Sequence, residues 1–110
     1  MNTLNSIILE WKVSKLLEPV KDTFTFSIIS ERHYKNAAGE IQTETSSFEI
    51  VTYGQLAEIA NKHCQLGRGV RIVGRLKQTQ WADSDGKNWS KVIVIAEHIE
   101  FKPMPTKAAL

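Results

Sequence analysis

Trp81 and Trp89 bracket the stretch "ADSDGKN", and these two rings are the side chains of this sequence most suggestive of a binding chemistry. Between them, Asp83-Ser84-Asp85-Gly86 has the residues of a tight turn, because Asp tolerates the left-handed region and Gly enters it without steric cost. Indoles at the mouth of a polar loop, among Lys77, Lys87 and Lys91, are poorly placed to build a core. Their flat faces suit stacking on planar groups, and the neighbouring cations suit an anionic ligand.

The residues that could catalyse do not assemble. His33, His63 and His98 fall in a loop, a helix and a strand, and no pair has metal-ligand spacing. Cys64 adjoins His63, but neighbours on a helix point about 100° apart and make no preset nucleophile and base. His63 is expected along the buried edge of its helix, and Cys64 as a small packed hydrophobe. Asp83 and Asp85 lack the further oxygen ligands and terminal Glu of a calcium loop, and turn chemistry explains both. Gly67-Arg68-Gly69 lacks the Lys-Ser/Thr of a phosphate loop and enters a strand; it reads as a helix-ending turn that adds a charge at Arg68. No carboxylate cluster suits a nuclease. The expectation is a protein that is not an enzyme and holds no metal or cofactor.

Charge supports an anionic partner. The net charge of +2 says little, but its distribution is uneven. Residues 1–61 carry five basic groups against eight acidic ones, whereas residues 62–91 carry Lys62, Arg68, Arg71, Arg75, Lys77, Lys87 and Lys91 against Asp83 and Asp85. Arg71, Arg75 and Lys77 alternate along one strand as a basic stripe, continued by Lys87 and Lys91 on the returning arm. Tyr53 adds a ring at the end of an earlier strand. Single-stranded nucleic acid exposes base faces that stack on such rings while its phosphates follow such a stripe; a duplex hides those faces.

The elements that must position these residues can be read from periodicity. Leu4–Leu17 alternates through Ile7, Leu9, Trp11 and Val13, so it reads as a long strand with Trp11 directed to the core. Phe24, Phe26 and Ile28 mark a second strand, residues 35–40 a loop, and Gln42–Tyr53 a third strand. Leu56, Ile59, Ala60 and His63 then recur at helical spacing, with Leu66-Gly67 as the C-cap. Val70 to Lys77 alternates again, and a last strand runs from Ser90 to Phe101. Three strands, a helix and two strands is the order of the five-stranded OB barrel, an all-β fold with one short helix between strands 3 and 4. Gly74, inside a long strand, suits a crowded barrel corner. At 110 residues and 42% hydrophobic, the chain has one domain's worth of core. The expected domain is 1–102, with a disordered tail at 103–110. The longest apolar run, Val92–Ala96, is far short of the ~18 residues of a membrane span. The start has no signal-peptide pattern, and a single cysteine fits a reducing compartment.

Over roughly residues 4–102 the sequence resembles the bacterial single-stranded-DNA-binding proteins. "YGQLAEIANKHCQLGRGVRIVGRL" is similar to the family's aromatic, Gly, Leu-Ala-Glu, helix and Val-x-Val-x-Gly-x-Leu pattern, "WADSDGKNWSK" to its Trp-x-Asp-x-x-Gly hairpin, and "LNSIILEWKV" to its opening strand. The resemblance implies that Trp81 and Tyr53 stack on bases, and that Tyr34 or its neighbour His33 supplies another ring. The family's aromatic early in the third strand falls at Ser47 in a gap-free alignment, beside Phe48. Trp11 stands where Gly is usual, and Trp89 where Arg is common; the residues leave Trp89 open between a core anchor and a stacking ring in place of a phosphate contact. The implied function is sequence-tolerant coating of single-stranded DNA in replication, recombination and repair, by a cytoplasmic homotetramer of the bacterial nucleoid whose long first strand pairs between subunits. The alternatives are an accessory OB protein of the primosome type and an RNA-binding OB protein. The family's Gly- and Pro-rich tail with its acidic Pro-Phe tip is not in this sequence, so partners that dock there are not expected for the chain as given.

Overall fold

Alternation of apolar and polar residues builds most of the strands of the computed structural model, which describes residues 2–103; the apolar run at residues 93–96 is instead buried along its whole length. In chain order the elements are β1 (Ile7–Leu16), β2 (Thr23–Lys35), β3 (Ile41–Tyr53), α1 (Gly54–His63), β4 (Gly69–Ala82) and β5 (Asn88–Phe101). They close into a barrel ordered β1-β2-β3-β5-β4, with β3 and β5 parallel and the other pairs antiparallel. This is the five-stranded OB fold expected from the sequence. The expected tail at 103–110 lies, beyond Pro103, outside the described residues.

Phe24, Phe26 and Ile28 of β2 point inward and meet Val13, Ile50, Val70, Ile72, Val94 and Ile99 in the core. Burying side chains of this size contributes about 1.5–3 kcal/mol each, which is the main force closing the barrel. The buried Thr52 hydroxyl donates to the Phe24 carbonyl at 2.7 Å and so leaves no unpaired polar group there. Gly74 sits at the corner of β4, where β5 carries an extra residue, Glu97, between the partners of Val73 and Gly74. A Cβ at Gly74 would stand 2.2 Å from the Ile95 carbonyl oxygen, so only glycine fits.

Helix α1 differs from its expected form in two respects. Its buried face is Ala57 and Ala60, continued by Cys64, while Ile59 and His63 are exposed. The helix lies over fully buried β-strand side chains, and its small residues allow that close approach; His63 tilts against Phe101 at the surface, 5.6 Å between ring centroids. The helix also ends earlier than Leu66-Gly67. Cys64 turns to extended backbone, and Gly67 belongs to the next turn, where φ is +85° and its N–H donates to the Val13 carbonyl at 2.8 Å. Cys64 itself is packed, and burial pushes its thiol up to about 12.

β1 is shorter than the Leu4–Leu17 expected. Asn5 nonetheless extends its ladder, donating from Nδ2 to the Leu76 carbonyl at 2.8 Å and accepting the Leu76 N–H at 3.0 Å. Trp11 is not a core residue. Its partner Val70 is fully buried, but the indole remains 41% exposed, with Lys12 Nζ 5.3 Å from its ring centroid. Alternation gives a side chain its direction, not its depth.

Candidate nucleic-acid interface

Two pairs of strands run on beyond the barrel as arms. In one, β2 and β3 pair without interruption from Thr23↔Tyr53 to Lys35↔Ile41; in the other, β4 and β5 pair from Gly74↔Ala96 to Ala82↔Asn88. Opposed residues in a ladder point to the same face, and faces alternate along each strand. One outer face therefore carries Arg75, Lys77 and Trp81 of β4 with Trp89, Lys91, Ile93 and Ile95 of β5. The parallel pair Val51↔Ile95 extends that face into β3, where it includes Tyr53 and Glu49. Val51, Ile93 and Ile95 form an apolar cluster of their own, separate from the barrel core.

Trp81 and Trp89 are directly opposed in the ladder. They are 46% and 44% exposed, and Tyr53, at the end of β3, is 50% exposed. Tyr53 is held by the junction of β3 with α1, where the Gly54 N–H donates to the Asp22 carbonyl at 2.9 Å. Lys87 Nζ lies 4.5 Å from the Trp89 ring centroid and Lys91 Nζ 5.8 Å from that of Trp81. The loop joining the strands is organised by Asp83. Its Oδ1 accepts the N–H groups of Asp85 and Lys87, both at 2.9 Å, and its Oδ2 accepts the Trp89 indole N–H at 2.9 Å. The Trp89 bond first, and the Lys87 amide after it, hold the Asp83 carboxyl below its ordinary range.

The other basic residues divide by partner. Arg68 donates to the carbonyls of Lys102 and His63, both at 3.0 Å, and its guanidinium lies over Phe101. Arg71 is bound to Glu10 at 2.8 Å and lies 3.9 Å from Glu100. Glu10 also holds Lys102 at 2.7 Å; Lys102 first and Arg71 second keep its carboxyl below the usual range. Lys91 is paired with Glu49 at 3.0 Å. Among the described residues, Arg75, Lys77 and Lys87 make no salt bridge. The stripe read from sequence is thus partly engaged within the protein.

Tyr34 and Tyr53 fall on opposite faces of the β2–β3 arm. Register places His33 on the face of Tyr53, whereas Tyr34 continues the row of Phe24, Phe26 and Ile28. Arg32 lies 5.3 Å from the Tyr34 ring centroid, and His33 Nδ1 is 3.0 Å from the Thr43 hydroxyl. Phe48 packs against the core, and Ser47 is exposed. Sequence reasoning missed Glu49 and the contact of Asp83 with Trp89. Among the described residues, no group of His, Cys, Asp and Glu could hold a metal ion, and no helix is long and apolar enough to cross a membrane.

Fold and surface together define an OB-fold protein with half-exposed aromatic rings and cations on one outer face. A profile of the Single-strand binding protein family matches residues 15–102, and the chain belongs to that family. It is 38% identical over 85 residues to the single-stranded DNA-binding protein of Aquifex aeolicus, covering 77% of this chain and 57% of that protein. It is 31% identical over 77 residues to the protein of that description from Helicobacter pylori, covering 70% and 43%. The chain thus spans about half the length of these curated relatives. Among solved structures, the Plasmodium falciparum single-stranded DNA-binding protein, in complex with single-stranded DNA, superposes with a TM-score of 0.85 at 21% identity, over 94% of this chain and 98% of that one. A deletion mutant of the Thermus aquaticus protein gives 0.78 at 19% identity, over 91% and 51%. These two establish the fold.

Proposed function

We propose that this chain binds single-stranded DNA with little regard to sequence, stacking bases on Trp81, Trp89 and Tyr53 while Arg75, Lys77, Lys87 and Lys91 neutralise phosphates. The observation that carries the reading is the opposed, half-exposed pair Trp81 and Trp89 on the same face as Lys77 and Lys91. Rings held open at a surface expose π-faces to water, and unstacked bases can cover them; each such stack is worth about 1–3 kcal/mol. Family membership and the likeness to a protein solved with single-stranded DNA support the same ligand. Arg68 and Arg71 have a lesser part, because several of their donors are engaged within the protein, whereas Lys91 is held by one carboxylate oxygen for which a phosphate can compete.

Binding of this kind needs no catalytic group, and we assign none. Coating exposed strands in bacterial replication, recombination and repair is the role that follows. Assembly is proposed through β1: residues 7–11 pair with β4 on one side, while β1 meets β2 only from Lys12 onward, leaving an edge that a second copy can cover. A homotetramer is the expected product. Oligo-dT titration followed by tryptophan fluorescence and light scattering tests both parts. Quenching that saturates, with a mass of four chains, is the expected result. Equal affinity for duplex DNA would reject single-strand stacking, and tighter binding of oligo-U than of oligo-dT would assign the face to RNA.

A further inference from the structure

We infer that Asp83 is a positioning residue that fixes Trp89 as a second stacking ring beside Trp81. The inference rests on the proposed stacking of single-stranded DNA, and its observation is the use of both carboxylate oxygens. Oδ1 closes the turn by accepting the N–H groups of residues 85 and 87. The β2–β3 arm closes its own turn in the same way, Asn36 Oδ1 accepting the N–H groups of residues 38 and 40 at 3.0 and 2.9 Å. There one oxygen suffices. At Asp83 the second oxygen is surplus to the turn, and it takes the Trp89 indole N–H at 2.9 Å.

That bond fixes the ring of a residue otherwise 44% exposed, and Lys87 lies against the ring 4.5 Å from its centroid. A side chain held in one orientation before the ligand arrives loses less freedom on binding, which is the usual benefit of preorganisation. Because Trp89 opposes Trp81, the arm then offers two rings at one level of the hairpin. The carboxylate also has a cost, since a negative charge beside a phosphate path opposes binding. Charge and position thus act with opposite signs, and a substitution can separate them.

Asp83→Asn keeps one acceptor oxygen for the turn, as Asn36 shows to be enough, but offers the Trp89 N–H an NH2 group. The reversed amide would serve the indole and lose the turn, so both contacts cannot survive. If Asp83 acted only through charge, Asp83→Asn would tighten oligo-dT binding. As a positioning residue, it instead weakens binding at least threefold, part of the roughly 5- to 150-fold that a stacked base contributes. In a Trp89→Phe background the same change has no weakening effect. Without DNA, the Trp89 indole N–H proton resonance is displaced downfield in the native protein and moves upfield in Asp83→Asn, while the protein stays folded and its melting temperature falls only by the small part that the Asp83 carboxylate contributes. An unmoved resonance, tighter binding by Asp83→Asn, or equal weakening in both backgrounds would overturn the inference. Trp81→Ala run alongside separates the two readings: if it binds oligo-dT as well as the native protein, the stacking face itself is wrong, whatever Asp83 does to the resonance.

Discussion

Lys91 Nζ lies 3.0 Å from Glu49 Oε1, so a cation beside Trp81 is bound to an acid on the neighbouring strand. Both groups are partly exposed, and such a pair contributes little to stability. Its effect on binding is expected to be larger, because in the proposed mode a phosphate competes with Glu49 for Lys91. Glu49→Gln is expected to raise affinity for oligo-dT and steepen the dependence of log K on log salt by up to about 0.7, the value for one further phosphate contact on a single strand. Arg75→Ala with Lys77→Ala should flatten that slope, and Arg71→Ala should change it less, since Glu10 holds its guanidinium. Titrations at several salt concentrations measure all three.

Trp81→Ala is expected to cost roughly 1–3 kcal/mol of single-strand affinity with little loss of stability. Trp81→Phe should lose much of the fluorescence quenching that oligo-dT produces. Trp11→Ala should leave affinity nearly unchanged, and its effect on stability should fall below the roughly 3–5 kcal/mol typical of a buried Trp, because Trp11 is half-exposed. Quenching that survives in Trp81→Phe and vanishes in Trp11→Phe would move the binding face to the other side of the barrel.

What could be read from the sequence follows from what periodicity encodes. Element order and the barrel corner were legible, because Phe24, Phe26 and Ile28 keep a period of two and Gly74 interrupts the interior of a strand whose neighbouring positions bear side chains. Parity in β2 also contained the answer for Tyr34: counted on from Phe24, it falls on the core side, and His33 on the outer side. The helix misled only in part: Ala60 is fully buried and Leu56 packs against the core at the expected spacing, but small Ala57 also faces inward, whereas Ile59 and His63 do not. Contacts such as Lys91 with Glu49, 42 residues apart, depend on how β3 meets β5 and leave no local pattern.

Gly74→Ala is expected to destabilise the barrel by roughly 1–3 kcal/mol or more, since the added methyl would meet the Ile95 backbone, which cannot rotate away as a side chain can. Urea unfolding measures it. The folded fraction should bind oligo-dT with native affinity, because no ring or free cation of the outer face is removed.

Acid should weaken two sets of contacts at once. The folded pKa values of Glu10 and Asp83 are lowered, so the stability they contribute is present above their ordinary range and is lost as pH falls through the lowered folded values. Melting temperature should therefore decline on going from about pH 5 toward about pH 2. Glu10→Gln should reduce the part due to Lys102 and Arg71. An identical decline in native protein and Glu10→Gln would assign the acid sensitivity to other groups.

Tyr53 and Tyr34 are about equally open to solvent, so exposure alone would rank them together; register separates them. Tyr53 shares the outer face with Trp81 and Lys77, and a strand stacked on Trp81 can reach it by crossing the apolar cluster of Val51, Ile93 and Ile95. Tyr34 faces away on the other side of its arm and already has the Arg32 guanidinium near its ring. Tyr53→Ala should therefore cost roughly 1–3 kcal/mol of affinity, and Tyr34→Ala only a small part of that. Fluorescence anisotropy with a labelled oligo-dT, short enough to occupy a single subunit, distinguishes the two. If Tyr34→Ala costs as much as Tyr53→Ala, the strand must pass around the tip of the β2–β3 arm and use both its faces.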